Sequence, residues 1–577
     1  MGEIRADRPK TNMAFYLLHS KVSKMSSVSA AVSRALLTCT SEIFGVMGNG
    51  NAHFLDAAVR SGFGFTAVRH ESAAVSAADA YYRITGKLAI ATTTYGAGFS
   101  NAITPLAEAA KARVPLVLLT GDQPSTGARG WDIDQTAINK AVGATTFVID
   151  ALSPMATTYA AVAHALRERT AVVISIPYDI VADEAAEESQ ISLADFQHEP
   201  SYQSADNQLV TQAAAALNEA KRPLVIYGRG ARLSNAAQAI AALADSLGAL
   251  SSSTALAPNL LTGRRGDLGI TGGFSSAETA ALIHEADVVL VLGASLNQFT
   301  MRFGDLLNAS AHILQVDVAP APTNPRVDTF VRGDVSAVVR GLLQQLTERA
   351  PGNRWVDSVA PRLTRINDHA PGDPIAADGL LDPRAVARIL NTMIPADRVV
   401  VQDGGHFIGW GPMYWDVPGP HALSMVGTAY QSIGLGLASA VGAGVAAPNS
   451  TVVLASGDGG FLMGLADLES VIRTVRSGII VIYNDAAYGA EIHQYGSIGL
   501  HEEPMLIPEV DFAAVARGLG ARATKVRALE DLAELDRWVA EGAHGVFLVD
   551  CRISADVRAP YMQEILEANR KAAHVRK

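Results

Sequence analysis

Thr451-Val452-Val453-Leu454-Ala455-Ser456-Gly457-Asp458-Gly459-Gly460-Phe461 is the stretch whose reading decides the fold. An apolar run of strand character ends in glycines around an acid, and Leu462 to Val475 then carries apolar residues at helical spacing. Downstream, Gly478-Ile479-Ile480-Val481-Ile482-Tyr483 reads as a second strand and breaks into Asn484-Asp485-Ala486-Ala487-Tyr488-Gly489. Strand, glycine turn, helix, strand and polar turn belong to a parallel sheet, whose ligands sit outside the carboxyl ends of its strands. Adjacent strand ends would carry Asp458 and Asp485 to one point. Hard carboxylate oxygens there suit Mg²⁺, which takes few protein carboxylates and completes its shell with phosphate and water. Glycine N–H groups at a helix start suit the phosphates themselves. A Gly-Asp-Gly turn alone is commonplace; a second acidic turn after a second strand makes the pair a candidate site for a metal-bound diphosphate.

At 577 residues the chain is too long for one core and divides into about three domains. An apolar fraction of 49% with 18% charged residues belongs to a well-packed α/β protein, not a disordered one. A net charge of −11 argues against nucleic acid as a partner. Cys39 and Cys551 are the only cysteines and show no metal-ligand spacing, so they read as buried thiols in a reducing compartment, and the expected location is cytoplasmic. No apolar run reaches the roughly 18 residues that span a bilayer, so no membrane association is expected. The longest, Ile433 to Ala447, is rich in Gly, Ala and Ser and reads as a packed helix. Arg5, Arg8, Lys10, Lys21 and Lys24 surround an apolar patch at Met13–Leu18 that is too short for a secretory signal. Residues 1–27 are therefore read as a disordered extension.

Strand–helix alternation recurs over residues 28–195, 205–350 and 380–555, each an α/β unit whose parallel sheet is flanked by helices. Asp183 to Asp206 is polar and acidic, and Glu348 to Gly379 contains Pro351, Pro361, Pro371 and Pro374; both have the composition of linkers. Residues 556–577 end in Arg570, Lys571, His574, Arg576 and Lys577. This basic tail reads as a frayed, solvated helix, with a closing lid as the sharper alternative.

The paired motif and the order of segments resemble the thiamine diphosphate (ThDP) enzymes of the acetolactate synthase, pyruvate oxidase and pyruvate decarboxylase type. In that family Gly-Asp-Gly is followed at this spacing by Asn-Asn; here the second Asn is Asp485. The resemblance implies pyrimidine-binding, central and diphosphate-binding domains in that order. It assigns Mg²⁺ to Asp458, Asp485 and the Ala487 carbonyl, with Gly457, Gly459, Gly460, Tyr488 and Gly489 around the diphosphate. Asp403-Gly404-Gly405-His406-Phe407 matches a second diphosphate turn through Gly405, His406 and Phe407. Gln431 and Ile433 match the segment that supports the bent cofactor, Ile433 as an apolar wedge and the Gln431 carbonyl as acceptor from the 4′-amino group. Within Arg69-His70-Glu71, Glu71 matches the residue that hydrogen-bonds N1′ of the pyrimidine. Thr94-Tyr95-Gly96-Ala97-Gly98 resembles the Gly-Pro-Gly turn beside that ring, with Ala97 for Pro. Gln135 matches a glutamine of acetolactate synthases, where it is a candidate donor to a substrate carbonyl, and Thr136 replaces the Glu that follows. Asp132 and Asp134 beside it are candidate helix caps.

Glu491 and His493 follow the metal turn and are not general family residues, which singles them out for substrate-specific acid–base work. The Arg-rich run of acetolactate synthases is absent: Ser295 and Phe299 stand where its arginines would be, with Arg302 a few residues on as a partial substitute. Gly293-Ala294-Ser295-Leu296-Asn297 instead resembles oxalyl-CoA decarboxylases and 2-hydroxyacyl-CoA lyases. The leading expectation is an acetolactate-synthase-like lyase and carboligase that decarboxylates a small 2-oxo acid and passes the resulting enamine to a carbonyl acceptor or a proton. The alternatives are a 2-hydroxyacyl-CoA lyase, whose substrate is an acyl-CoA, and a non-catalytic relative that keeps the fold. Gly228-Arg229-Gly230 marks the central domain for an ADP or CoA moiety or FAD. The family resemblance further implies a homodimer at minimum, with a homotetramer expected.

Overall fold

The computed structural model describes residues 26–188, 190–197 and 205–575, with side chains as far as 571. The expected N-terminal extension lies almost wholly outside these residues. Its last residue, Ser27, caps the first helix by accepting from the Ala30 N–H at 3.2 Å.

Three parallel six-stranded sheets follow one another along the chain. The first contains β1 (Glu42–Gly45), β2 (Gly64–Ala67), β3 (Ile90–Thr93), β4 (Leu116–Asp122), β5 (Thr145–Val148) and β6 (Ala171–Pro177), in the order β2-β1-β3-β4-β6-β5. The central sheet holds β7 (Pro223–Tyr227), β8 (Leu250–Ser253), β9 (Asp267–Ile270), β10 (Val288–Leu292), β11 (His312–Asp317) and β12 (Thr329–Arg332), ordered β12-β11-β10-β7-β8-β9. The third has β13 (Arg398–Gln402), β14 (Leu423–Ser424), β15 (Thr451–Gly457), β16 (Ser477–Asn484), β17 (Arg522–Val526) and β18 (Gly545–Arg552), ordered β14-β13-β15-β16-β18-β17. The first and third sheets thus wind through the chain in the same permutation. The central one follows the order typical of dinucleotide folds. In each sheet the chain winds outward to both sides from a switch point: β1/β3, β7/β10 and β13/β15. Crevices for ligands open at such points.

The central strands are buried along their whole length because helices cover both faces; β4, β6 and β15 are buried at every position. The first and third domains meet through two helices at equivalent places in their sheets, Glu71–Thr85 and Gly436–Ala446. Both are small-residue helices, and Ala73, Ala74, Ala77 and Ala78 share one core cluster with Ala438, Ala440, Val441 and Ala443. Their backbones run so close that a Cβ on Gly442 would lie 2.1 Å from the Ala77 carbonyl oxygen. Among the described residues no helix is long and apolar enough to cross a membrane.

One linker reading and the reading of the C-terminal tail need correction. The proline-bearing stretch after residue 348 contains a short helix, Trp355–Ser358, whose Trp355 and Val356 are buried with Val359 in a core cluster of the central domain. Its apolar residues are too few for periodicity to show, yet each finds a place under the sheet. The C-terminal tail is a helix, Pro560–Val575, with Tyr561, Met562 and Leu566 buried. It is packed rather than frayed, because its apolar first turns outweigh its basic end. The side chains of His574, Arg576 and Lys577 lie outside the described residues.

Candidate active site

The register of β15 on β16 pairs Gly457 with Tyr483, so the residues just beyond these strand ends, Asp458 and Asp485, leave the sheet at nearly the same height. Asp458 is buried as the first residue of the helix Asp458–Met463. The Ala487 N–H donates to Asp458 Oδ2 and to Asp485 Oδ1, each at 3.2 Å, so one backbone amide joins both carboxylates. A left-handed Ala486, at φ 58°, turns the chain to make this possible. Burial raises both carboxyl pKa values, and the charge on Asp458 raises that of Asp485 further. Asn484 points elsewhere: its Nδ2 donates to Asp550 Oδ1 at 2.9 Å.

This geometry fits a divalent cation and a diphosphate. Among the described residues no three His, Cys, Asp or Glu side chains converge, so no all-side-chain metal cage exists. Two carboxylates and the Ala487 carbonyl leave the remaining positions for ligand oxygens and water, as Mg²⁺ prefers. Glycines form the cradle. A Cβ would lie 2.6 Å from the Tyr488 ring at Gly459, 2.5 Å from Asp485 Oδ2 at Gly489, and 2.7 Å from the Phe407 ring at Gly405.

Asp403, at the end of β13, was not singled out as functional by the sequence. Its Oδ1 accepts from the N–H groups of Gly404 at 2.8 Å and Gly434 at 2.9 Å, and its Oδ2 accepts from Ser456 Oγ at 3.1 Å. It thereby ties the Gln431–Gly434 turn to the ends of β13 and β15. Gln431 is left-handed at φ 58°. Every third-domain residue expected to touch cofactor or metal, from Gly405 to Gly489, lines one cavity of about 770 Å³, and Glu491 lines it too.

His493 does not line this cavity. It is buried against His406, with ring centroids 4.6 Å apart, and its Nδ1 accepts from Arg558 Nε at 3.1 Å. His406 lines the cavity, but its Nε2 accepts from the Ala559 N–H at 3.1 Å. Burial, reinforced by Arg558, holds the His493 pKa down at about 4. Burial, with His493 and then Arg558, holds His406 at about 3. Both rings are therefore neutral near pH 7. They anchor the segment leading into the C-terminal helix, whose Tyr561, Met562 and Ile565 wall the cavity. Tyr561 packs with Phe274 and Phe299 in an aromatic trio. Arg302 does not substitute for the missing arginines of the cavity; it pairs with Glu564 of the C-terminal helix.

First-domain residues form a second, separate group. Glu71 begins its helix half-buried and accepts from Asn101 Nδ2 at 3.0 Å. A Cβ on Gly98 would come within 3.1 Å of Glu71 Oε1, which explains the glycine after Ala97. Gln135 is buried and braced: its Oε1 accepts from the Gly96 N–H at 2.8 Å and its Nε2 donates to the Gly121 carbonyl at 3.0 Å. Asp134 caps the helix Gln135–Ala141, whereas Asp132 pairs with Arg129 at 2.8 Å instead of capping. Neither Glu71 nor Gln135 reaches the third-domain cavity of the same chain. Apolar side chains stand exposed in both regions: Met47 and Trp131 in the first domain, Met463, Ile498 and Leu506 in the third.

From the third domain the cavity extends to the switch point of the central sheet, where Gly230 meets Gly293 so closely that a Cβ on Gly230 would lie 2.7 Å from the Gly293 Cα. These glycines permit the packing of two strand ends. Lys111, Arg113 and Arg229 make this arm of the cavity cationic.

Cation binding at Asp458 and Asp485 has to displace protons that this desolvated pair holds more tightly than an exposed aspartate, with its pKa of about 4, would. Mg²⁺ affinity measured by titration at constant ionic strength should therefore weaken steadily as pH falls below neutrality. A flat profile down to about pH 5 would show that the pair is not the metal site.

Comparison with known proteins agrees with this geometry. Residues 27–142 match the N-terminal TPP binding domain of thiamine pyrophosphate enzymes, residues 210–342 their central domain, and residues 403–551 their C-terminal TPP binding domain. The chain is 29% identical over 533 residues to the probable 2-ketoarginine decarboxylase of Pseudomonas aeruginosa, covering 88% of this chain and 91% of that protein. It is 29% identical over 504 residues to the large subunit of acetolactate synthase isozyme 2 from Escherichia coli, covering 83% and 86%. The solved structure of a thiamine diphosphate-dependent 4-hydroxybenzoylformate decarboxylase from Rhodococcus jostii superposes with a TM-score of 0.75 at 21% identity, over 92% of this chain and 99% of that one, which shows a shared fold. With its paired acidic turns, glycine cradle and three matched domains, the chain belongs to the thiamine pyrophosphate enzymes.

Proposed function

We propose that this chain is a Mg²⁺- and ThDP-dependent C–C bond lyase and carboligase of acetolactate-synthase type, acting on a small 2-oxo acid. The observation that carries this reading is the Asp458–Asp485 pair, joined on one backbone amide and opening onto a cavity that also holds Glu491. Bound there, ThDP supplies a carbon nucleophile and stabilises the carbanion left when a C–C bond breaks. Asp458, Asp485 and the Ala487 carbonyl would hold Mg²⁺ against the diphosphate. Ile433 and the Gln431 carbonyl would orient the pyrimidine. Glu71 would exchange a proton with N1′, and because it does not line the cavity of its own chain, a homodimer in which each site takes Glu71 from the second copy is supported. The exposed apolar residues in both regions are suited to such an interface. Gln135 and His493 act as positioning residues, one on the Gly96 turn and the other on Arg558.

The aromatic and aliphatic wall of Phe274, Phe299 and Met562 supports a 2-oxo acid with an apolar side chain, since burying such groups is favourable without charge. A second reading, a 2-hydroxyacyl-CoA lyase, is favoured by one feature: the cationic arm at Lys111, Arg113 and Arg229 is suited to phosphates of a CoA ester, an ADP moiety or FAD.

Holoenzyme incubated separately with pyruvate and with a short 2-hydroxyacyl-CoA separates these readings. CO₂ release from pyruvate is the expected result. Cleavage of the thioester substrate without CO₂ would install the lyase instead, and inert protein in both arms would leave a non-catalytic relative. In the same assay Glu491→Gln should bind ThDP normally while product formation falls by about 10²-fold. A rate within a few-fold of wild type would remove Glu491 from proton transfer.

A further inference from the structure

Gln431 sits at the crest of an arch whose third-domain hydrogen bonds include Thr428 Oγ1 donating to the Met425 carbonyl at 3.1 Å. On one side the Ser432 N–H donates to the Gly427 carbonyl at 2.9 Å, and beyond it Asp403 holds the Gly434 N–H. Gln431 itself is left-handed, a conformation a non-glycine residue keeps only where its surroundings impose it. Packing does not impose it here. Gln431 is exposed, and its neighbour Tyr430 is 46% exposed with the Lys111 ammonium 6.0 Å from its ring centroid.

The arch is gripped from the first domain of the same chain, by ionised groups. Glu108, fully buried in the helix Ile103–Lys111, accepts from the Tyr430 N–H through Oε2 at 2.7 Å. Its Oε1 accepts from Arg83 Nη2 at 2.9 Å. Arg83, buried in the helix Glu71–Thr85, donates through Nη1 to the Met425 carbonyl at 3.1 Å. Asp79, also fully buried, takes Arg83 Nη2 at 3.1 Å and its Nε as well. Burial disfavours the Arg83 charge, but the two carboxylates more than restore it. Three charges are thus taken out of water, and the two main-chain groups they serve are the carbonyl of Met425 and the N–H of Tyr430, which bracket the approach to Gln431. Charged partners make shorter and stronger hydrogen bonds than neutral ones. A strut of this kind fixes a backbone segment where neutral side chains or water would leave it mobile.

We propose that Glu108 and Arg83 are positioning residues for the cofactor turn, holding the Gln431 carbonyl and the Ile433 wedge in register from across the domain boundary. The inference rests on the proposed roles of Gln431 and Ile433 toward the ThDP pyrimidine. Cofactor affinity then comes mainly from the diphosphate end at Asp458 and Asp485, and cofactor reactivity from the arch. These two properties separate on mutation.

Glu108→Ala and the isosteric Glu108→Gln test it. In the apo protein, backbone hydrogen exchange over residues 425–435 should accelerate by about tenfold in Glu108→Ala, with β15 and β16 unchanged. In the assembled holoenzyme, exchange of the ThDP C2 proton should fall by about tenfold while ThDP affinity stays within about threefold of wild type. Glu108→Gln keeps one acceptor oxygen and can serve Tyr430 or Arg83 but not both, so its changes should have the same sign and be smaller. If Glu108→Ala does not fold, Glu108→Gln decides by the same measures. Wild-type exchange at both the backbone and C2 would overturn the proposal. So would loss of ThDP affinity in step with a general loss of protection, which would make Glu108 a fold residue only. Failure of the wild-type protein itself to bind ThDP or to accelerate C2 exchange would instead overturn the reading of the site.

Discussion

Two carboxylates, one buried and one half-buried, joined on one backbone amide are the constraint around which the third domain is built. Asp458 and Asp485 repel each other in a site that screens poorly, so the fold favours either a proton or a cation between them. Placing them there requires the in-register β15–β16 pair, the left-handed Ala486 and a glycine at 489, where any side chain would strike Asp485. Asp403 carries the same logic one strand further, spending a buried carboxylate on the turn that bears Ile433. Each of these acids stands at or beside the β13/β15 switch point, which is why one crevice can collect them.

The topology then divides the machinery. The first and third sheets share one strand permutation and are joined through equivalent small-residue helices. Their ligand-facing ends nevertheless serve different places within one chain: the third-domain turns open into the cavity shared with the central domain, and Glu71 opens elsewhere. The Glu71–Thr85 helix therefore has two ends with separate tasks. Its start presents Glu71, while its later turns present Arg83, paired with Asp79, to the third domain.

Much of this was legible in the sequence because parallel strands buried on both faces appear as unbroken Val, Ile and Leu runs. That is how β10, β15 and β16 were visible, and why the glycine and acid that end β15 stood out. By contrast β8 reads Leu250-Ser251-Ser252-Ser253, and its serines are buried because they hydrogen-bond neighbouring groups at Asp267 and Gly269, a tertiary fact no local pattern carries. The short β2 and β5 have too few residues to show a period. At the site, the motif residues were legible through resemblance, whereas Asp403 and Glu108 were not singled out as functional, because a lone acid gives no sign of which distant N–H it will meet. His493 looked like a substrate-facing group by its place after the metal turn, and helix geometry turned it toward Arg558 instead.

In the function proposed above, Asp458 and Asp485 would hold a divalent cation against the cofactor diphosphate. Calorimetric titration of ThDP into apo protein, with Mg²⁺ and with a chelator in its place, tests it most directly when run on wild type and on Asp458→Ala. Binding to wild type is expected only when Mg²⁺ is present, with loss of that binding in a folded Asp458→Ala. Unchanged ThDP affinity in the chelator, or in the variant, would contradict it.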